Sequence, residues 1–182
     1  MKKKDLLLVI DMQNVYMPGQ EWECPSMPRS IDGIIRLLDS ETIGQVAFTK
    51  FQAPEQPVGT WQRYNQEYKE INEDPFCNEL VAALQPYAKK YPVFEKSVYS
   101  SFKIEELIAL AKQSDRVFLS GVVAECCVAA TLLEGIDLGF EIVYLTDCIS
   151  GQSRENEERI RKLAESFSPM HVQVTDSKTY LD

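Results

Sequence analysis

The stretch RVFLSGVVAECCVAAT, residues 116–131, changes character halfway along. Its first half is a short apolar run, which predicts a buried strand that ends at Gly121. Its second half has small and apolar residues at helical spacing, which predicts a helix from about Cys126 to Leu138. A strand that leads into a helix is the repeating unit of a parallel α/β sheet, and two adjacent cysteines stand at this junction.

The same alternation of strands and helices recurs on both sides of this unit. Near-continuous apolar strands separated by helices are typical of parallel sheets that are covered on both faces. The sequence therefore predicts an α/β fold, a three-layer α/β/α sandwich with a six-stranded, mainly parallel sheet. The predicted strands are residues 6–11, 45–50, 92–97, 116–121, 141–147 and 171–176, and the predicted helices are residues 29–40, 78–90, 103–113, 126–138 and 154–167.

One segment, residues 51–74, interrupts this alternation. It is rich in prolines, aromatic residues and polar residues, and it has no clear strand or helix period until its end. We expect a long insertion or lid here, within a single domain that spans residues 1–182.

Composition narrows the class of partner. The chain has 19 Lys and Arg against 28 Asp and Glu, a net charge of -9, which disfavours binding to nucleic acid. No stretch approaches the ~20 apolar residues of a membrane helix. The apolar run LLLVI, residues 6–10, is shorter than the roughly 7 to 15 residues of a signal-peptide core. We expect a cytoplasmic protein that acts on a small molecule and does not bind membranes.

The cysteines do not form the pattern of a disulfide framework or a zinc site. Their number is odd, their spacing is irregular, and the chain has one histidine, His171. We therefore expect no metal and no cofactor, and each cysteine is either a buried apolar residue or a nucleophile. The five are Cys24, Cys77, Cys126, Cys127 and Cys148.

Three reactive side chains are predicted at the carboxyl edge of the sheet, where ligands bind in open parallel sheets. Strand one ends in Asp11, strand three runs into Lys96, and strand four leads to the cysteine pair. Taken singly, an aspartate can cap a helix, a lysine can be a solvated surface residue, and a cysteine can be packing. The convergence of an acid, a base and a thiol at one edge favours a catalytic site.

Three ordered segments carry a resemblance to a known family. VIDMQNVY (9–16), EKSVYSSF (95–102) and SGVVAECCVAAT (120–131) together resemble the isochorismatase-like cysteine hydrolases, a superfamily that includes nicotinamidases and N-carbamoylsarcosine amidase. The resemblance extends from residue 5 to about residue 175. It implies a Rossmann-like sandwich fold and a homo-oligomer.

The resemblance also implies a mechanism. Alignment on the turn after strand four makes Cys127 the nucleophile, Asp11 the general base and later acid, and Lys96 the group that keeps Asp11 ionised. Cys127 would attack a carbonyl carbon, release an amine and form a thioester that water then cleaves. The implied function is an amidase-type hydrolase that cleaves a carbon–nitrogen bond, amide or ureido, of a small molecule.

The turn before the nucleophile has a further implied role. In the family it carries a non-proline cis peptide, which here would link Val123 to Ala124, and the backbone N–H groups of Ala124 and Cys127 are the implied oxyanion hole. A cysteine in the first turn of a helix is also expected to gain thiolate character from the positive helix end. Because successive helical residues lie about 100° apart, we assign Cys126 to packing.

Departures from the family pattern limit the reaction. Nicotinamidases bind a divalent metal through an Asp-x-His pair and a further histidine just past strand two, where this chain reads TKFQAPEQP (49–57) and has no histidine. A metal-dependent nicotinamidase is therefore disfavoured. Isochorismatases proper, which hydrolyse a vinyl ether, typically lack the nucleophilic cysteine, so the presence of Cys127 favours cleavage of a carbon–nitrogen bond.

Candidate pocket residues come from segments next to the catalytic positions and from the predicted lid. Trp61 and Tyr64 lie in the least core-like segment, so we expect them to line a lid over the site. The candidates are Gln13, Phe51, Trp61, Tyr64, Tyr99 and Phe102.

Two other function classes remain open. One is a catalytically idle binding or scaffold protein that keeps the fold. The presence of Asp11, Lys96 and Cys127 together argues against it, because a protein that had lost its activity would have no reason to keep all three. A thiol redox protein could use Cys126 and Cys127, but adjacent cysteines close a strained ring and redox pairs usually have two intervening residues.

Overall fold

The sheet in the computed structural model, which describes residues 5–182, has six strands in the order β3-β2-β1-β4-β5-β6. Every neighbouring pair is parallel, so the predicted α/β sandwich is confirmed and its sheet is parallel throughout the described residues. The strands are β1 (Leu6–Ile10), β2 (Gln45–Phe51), β3 (Val93–Lys96), β4 (Val117–Gly121), β5 (Ile142–Ile149) and β6 (Val172–Thr175).

Helices cover both faces of this sheet. Within residues 5–182, no helix has the length and apolar content that crossing a bilayer requires. The α-helices are α1 (Met27–Asp39), α2 (Trp61–Glu67), α3 (Lys69–Glu73), α4 (Pro75–Asn78), α5 (Gln85–Ala88), α6 (Glu105–Lys112), α7 (Ala129–Asp137), α8 (Arg154–Ser166) and α9 (Ser177–Leu181).

Alternate residues of the central strand serve two separate cores. Leu7 and Val9 of β1 belong to the core on the α1 face, whereas Leu6 and Leu8 belong to the core on the opposite face. Successive strand side chains point to opposite faces, so a strand buried on both sides must be apolar at every position. This requirement explains the uninterrupted run at the start of the chain.

The strand order reverses between β1 and β4. Strands β2 and β3 lie on one side of β1, and β4, β5 and β6 lie on the other side. Gly121, the last residue of β4, has φ 107°, a left-handed conformation that favours glycine. A Cβ atom there would lie 2.0 Å from the Ile10 carbonyl oxygen. Glycine therefore allows β4 to end directly against β1, and both strands deliver their next residues to one crevice.

The continuous helix predicted for residues 78–90 is wrong. Backbone groups of Glu79 and Val81 pair with the segment after β1: the Asn14 N–H donates to the Glu79 carbonyl at 2.9 Å, and the Val81 N–H donates to the Met12 carbonyl at 2.9 Å. These groups are therefore unavailable to a helix, and only the short helices α4 and α5 form at the two ends of the region.

Two other elements differ from the prediction. The segment 51–74 contains α2 and α3, so the predicted insertion is partly helical. Strand β5 continues past Asp147 to Ile149, and the Asp147 carboxylate accepts hydrogen bonds from the Ser177 N–H at 2.8 Å and the Ser177 hydroxyl at 2.5 Å. This contact tethers α9, the C-terminal helix that the sequence did not predict.

Candidate active site

Asp11, Lys96 and Cys127 meet at the carboxyl edge of the sheet. The Lys96 Nζ lies 2.5 Å from Asp11 Oδ2 and 3.4 Å from Cys127 Sγ, and it also donates to the Val98 carbonyl at 3.1 Å. The three residues are 0%, 5% and 3% exposed. A buried ammonium group thus bridges a carboxylate and a thiol, with its three N–H donors directed at these three partners.

The strand ends fix the position of each group. Asp11 directly follows β1 and has φ 49°, an uncommon conformation for a residue with a side chain. Its backbone N–H donates to the Thr49 carbonyl at 3.1 Å, and the Thr49 hydroxyl donates to Asp11 Oδ1 at 2.8 Å. Lys96 is the last residue of β3, and Cys127 lies in a wide π-type turn, Ala124–Val128, after β4.

The electrostatic environment keeps the lysine charged. Burial lowers the pKa of Lys96, but attraction to Asp11 and Cys127 outweighs this effect and the pKa is raised. Lys96 therefore remains an ammonium inside the protein.

The surroundings of Cys127 oppose the thiolate character that the helix position predicts. Burial raises the pKa of Cys127 and the Asp11 carboxylate raises it further, while Lys96 opposes them. A raised pKa favours the protonated thiol, so a base beside the sulfur is needed before it can attack.

We expect iodoacetamide to label Cys126 faster than Cys127 at neutral pH. Cys126 is partly exposed, whereas Cys127 is 3% exposed and its pKa is raised more strongly. Peptide mass spectrometry over a labelling time course measures the two rates, with Cys126→Ser as the control for peak assignment. Faster labelling of Cys127 would contradict the protonated, buried thiol described here.

A cavity of about 200 Å³ opens above Cys127. Of the predicted pocket residues, Phe51, Tyr64 and Tyr99 line it. The ring of Trp61 packs against two of them, with its centroid 5.0 Å from that of Tyr99 and 5.2 Å from that of Tyr64. The walls are mainly aromatic. The lining residues are Tyr16, Trp22, Phe51, Tyr64, Tyr68, Tyr99, Val123, Cys126, Cys127 and Gln152.

Three predicted pocket residues, Gln13, Trp61 and Phe102, do not line the cavity, and two of them have other roles. The Gln13 amide donates to the carbonyls of Phe51 and Asn78 at 3.1 and 3.0 Å, and it accepts from the Phe51 N–H at 2.8 Å. Gln13 therefore holds the end of β2 in place. Phe102 is 1% exposed and packs in the core against Phe140, with ring centroids 5.1 Å apart.

The sequence missed several lining residues. Tyr68 follows Trp61 and Tyr64 at helical spacing. This spacing could have predicted that the three side chains lie on one face of a helix. Tyr16 lies within the VIDMQNVY segment that carried the family resemblance. Trp22 and Gln152 reach the cavity from loops far away in sequence, and no local pattern marks them.

Cys126 packs against the core on the α1 face, as predicted, but it also lines the cavity together with Cys127, which the predicted divergence of adjacent side chains did not allow for. The prediction assumed a regular α-helix, in which adjacent side chains diverge. The cysteines instead lie in the π-type turn, whose backbone is wider than that of an α-helix.

The cis peptide also lies one residue earlier than predicted, between Val122 and Val123. The Ala124 N–H donates to the Ser150 carbonyl at 2.9 Å and is therefore not available to an oxyanion. The Val123 N–H has no hydrogen-bond partner within residues 5–182, and Val123 lines the cavity. The candidate oxyanion donors are thus the N–H groups of Val123 and Cys127.

The residues present do not fit the divalent metal of nicotinamidases. Within the described part of the chain, no three or more His, Cys, Asp or Glu residues are grouped so that they could hold a metal ion. His171 precedes β6, at the amino edge of the sheet and away from Cys127.

Comparison with known families gives one match that spans most of the chain. The model of the isochorismatase domain family matches residues 5–178. No curated protein sequence matches the chain significantly.

Three solved structures share the fold. An isochorismatase-like hydrolase from Alkaliphilus metalliredigens is 17% identical, with a TM-score of 0.76 over 98% of this chain and 97% of its own. A cysteine hydrolase from Pseudomonas syringae is 18% identical, with a TM-score of 0.78 over 98% of this chain and 91% of its own. A nicotinamidase from Bacillus subtilis is 20% identical, with a TM-score of 0.73 over 95% of this chain and 99% of its own.

Proposed function

The chain belongs to the isochorismatase family, and on that premise we propose that it is a cysteine hydrolase that cleaves a carbon–nitrogen bond of a small amide or ureide. The observation that carries this proposal is the buried contact of Lys96 with both Asp11 and Cys127 at the floor of the aromatic cavity. A nucleophile, a base and a charge stabiliser within contact distance are the parts that covalent acyl transfer requires.

The first half of the reaction forms a thioester. Asp11 accepts the thiol proton, and the Cys127 sulfur attacks the substrate carbonyl carbon while the carbonyl electron pair moves to oxygen. The N–H groups of Val123 and Cys127 donate to that oxyanion. The oxyanion then collapses, Asp11 returns the proton to the leaving nitrogen, and the carbon–nitrogen bond breaks.

The second half regenerates the thiol. A water molecule gives a proton to Asp11 and attacks the thioester carbonyl carbon, the carbon–sulfur bond breaks, and the proton passes to the departing sulfur. Lys96 stays protonated throughout and stabilises the negative charge that alternates between Asp11 and Cys127. The products are a carboxylic or carbamic acid and an amine.

The presence of the thiol favours this reaction over hydrolysis of a vinyl ether. Thioester formation needs a planar carbonyl carbon that bears a leaving group, which a vinyl ether linkage lacks, and Asp11 is the acid that would protonate a nitrogen leaving group. The name of the Bacillus subtilis neighbour, a nicotinamidase, gives a precedent for amide hydrolysis on this fold.

We expect the protein to release ammonia from at least one compound in a panel of small primary amides and ureides. A glutamate-dehydrogenase-coupled assay measures the release, and the Cys127→Ala variant corrects for contaminating amidases. Ammonia release that is equal in the wild type and the variant would contradict the proposal. Turnover of a vinyl ether without release from any amide or ureide would also contradict it.

A further inference from the structure

Tyr16 is a buried residue whose hydroxyl has no protein partner. The residue is 5% exposed and lines the cavity, and its hydroxyl makes no hydrogen bond with any residue of the described range 5–182. Its backbone is fixed, because its N–H donates to the Gln13 carbonyl at 3.2 Å and its carbonyl accepts from the Cys24 N–H at 2.9 Å. The Tyr16 hydroxyl is therefore available to donate a hydrogen bond to a ligand in the cavity.

Tyr16 and Cys127 line the same cavity. Burial raises the pKa of Tyr16 well above its ordinary value, and negative charge on Cys127 and on Asp11 raises it further. Tyr16 therefore keeps its proton and is a neutral hydrogen-bond donor next to the position where a substrate would react.

The cavity lacks a free charge for a charged substrate. Its lining contains no lysine, arginine, histidine, aspartate or glutamate. The nearest ammonium, on Lys96, already donates to Asp11, Cys127 and the Val98 carbonyl. A carboxylate that entered this site would lose its hydration without gaining a counter-ion, which is strongly unfavourable.

We propose that the cavity selects an uncharged, flat amide or ureide, and that the Tyr16 hydroxyl determines specificity by donating a hydrogen bond to an acceptor oxygen beside the scissile group. The identity of the scissile group rests on the proposed function. The selectivity of the cavity does not, because binding can be measured without turnover.

The test compares small ureas that differ by one group, bound to the Cys127→Ala variant and followed by NMR titration. Ethylurea is the reference. Acetylurea replaces its methylene with a carbonyl, and N-carbamoylglycine replaces its methyl group with a carboxylate. We expect acetylurea to bind about 3- to 10-fold more tightly than ethylurea, the gain of one hydrogen bond. We expect N-carbamoylglycine to bind at least about 10-fold more weakly than ethylurea.

The Tyr16→Phe substitution, made in the same Cys127→Ala background, identifies the donor. It should reduce the preference for acetylurea over ethylurea to about one without lowering the unfolding temperature. Tyr144→Phe is the matched control, since Tyr144 is 2% exposed and does not line this cavity. It should leave the preference intact.

Three results would overturn this inference. The first is a preference for acetylurea that remains in the Tyr16→Phe variant. The second is N-carbamoylglycine, or the cation 2-aminoethylurea, binding as tightly as ethylurea does. The third is the absence of saturable binding for both neutral ureas. Each of these results can occur while the wild type still forms a thioester. Conversely, the expected binding preferences can be observed in a protein that forms no thioester. Failure of the inference is therefore distinguishable from failure of the proposed function.

Discussion

The Cys127→Ala variant is expected to lose turnover by about 10⁴-fold or more and to fold as the wild type does. Asp11 and Lys96 only move or stabilise charge and cannot replace the nucleophile, and Cys126 has no hydrogen bond with either of them. The side chain that is removed is small, and the alanine keeps its Cβ in the core that surrounds Ala124 and Val128. The loss should therefore appear in catalysis and not in the unfolding temperature.

The neighbouring thiol supplies the control for this prediction. Cys126 lines the same cavity but has no hydrogen bond with Asp11 or Lys96. Cys126→Ala should retain turnover within about 10-fold, since it changes the cavity wall and not the reacting groups. Comparable losses in the two variants, measured as kcat/KM on the same substrate, would contradict the assignment of Cys127.

The Lys96→Met variant is expected to lose about 3 to 5 kcal/mol of stability as well as its activity. Methionine fills a similar volume but leaves the Asp11 carboxylate, which is 0% exposed, without its counter-ion. The pKa of Lys96 is raised in the folded state, so its stabilising contribution is fully present below its ordinary pKa of 10.5. Urea denaturation at neutral pH therefore measures the whole effect.

Two comparisons make this result specific. Lys103→Met breaks an exposed ion pair with Glu134 and should cost no more than about 1 kcal/mol. Adding Asp11→Asn to Lys96→Met removes the uncompensated charge and should recover part of the lost stability. A Lys96→Met variant as stable as Lys103→Met would show that Asp11 and Lys96 are not an ion pair in the folded protein.

The convergence of the site could be predicted because it follows from the topology. In a parallel sheet all strands end at one edge, so residues that close β1 and β3 and follow β4 must meet there. The meeting of Asp11, Lys96 and the cysteine pair needed no further information, whereas the choice of Cys127 over Cys126 came from the family resemblance. The presence of a core on each face of the sheet could also be predicted, because strands that are covered on both faces are apolar at every position.

The details that the sequence did not predict depend on contacts distant in the chain. Residues 79–81 are extended because their backbone pairs with the segment after β1. Local helix and strand propensities cannot predict a pairing with a distant segment. The position of Cys126 depends on a π-type turn, which has no reliable sequence signature. Trp22 reaches the cavity by tertiary packing against Tyr68, with ring centroids 5.3 Å apart.

The measurement that most directly tests covalent catalysis is the intact mass of the protein, quenched rapidly in acid during turnover of an amide or ureide. The account predicts a mass increase equal to that of the acyl group in the wild type, located on Cys127 by peptide mapping and absent from Cys127→Ala. Turnover without an adduct from a substrate whose acylation is faster than hydrolysis, or an adduct on Cys126, would contradict it.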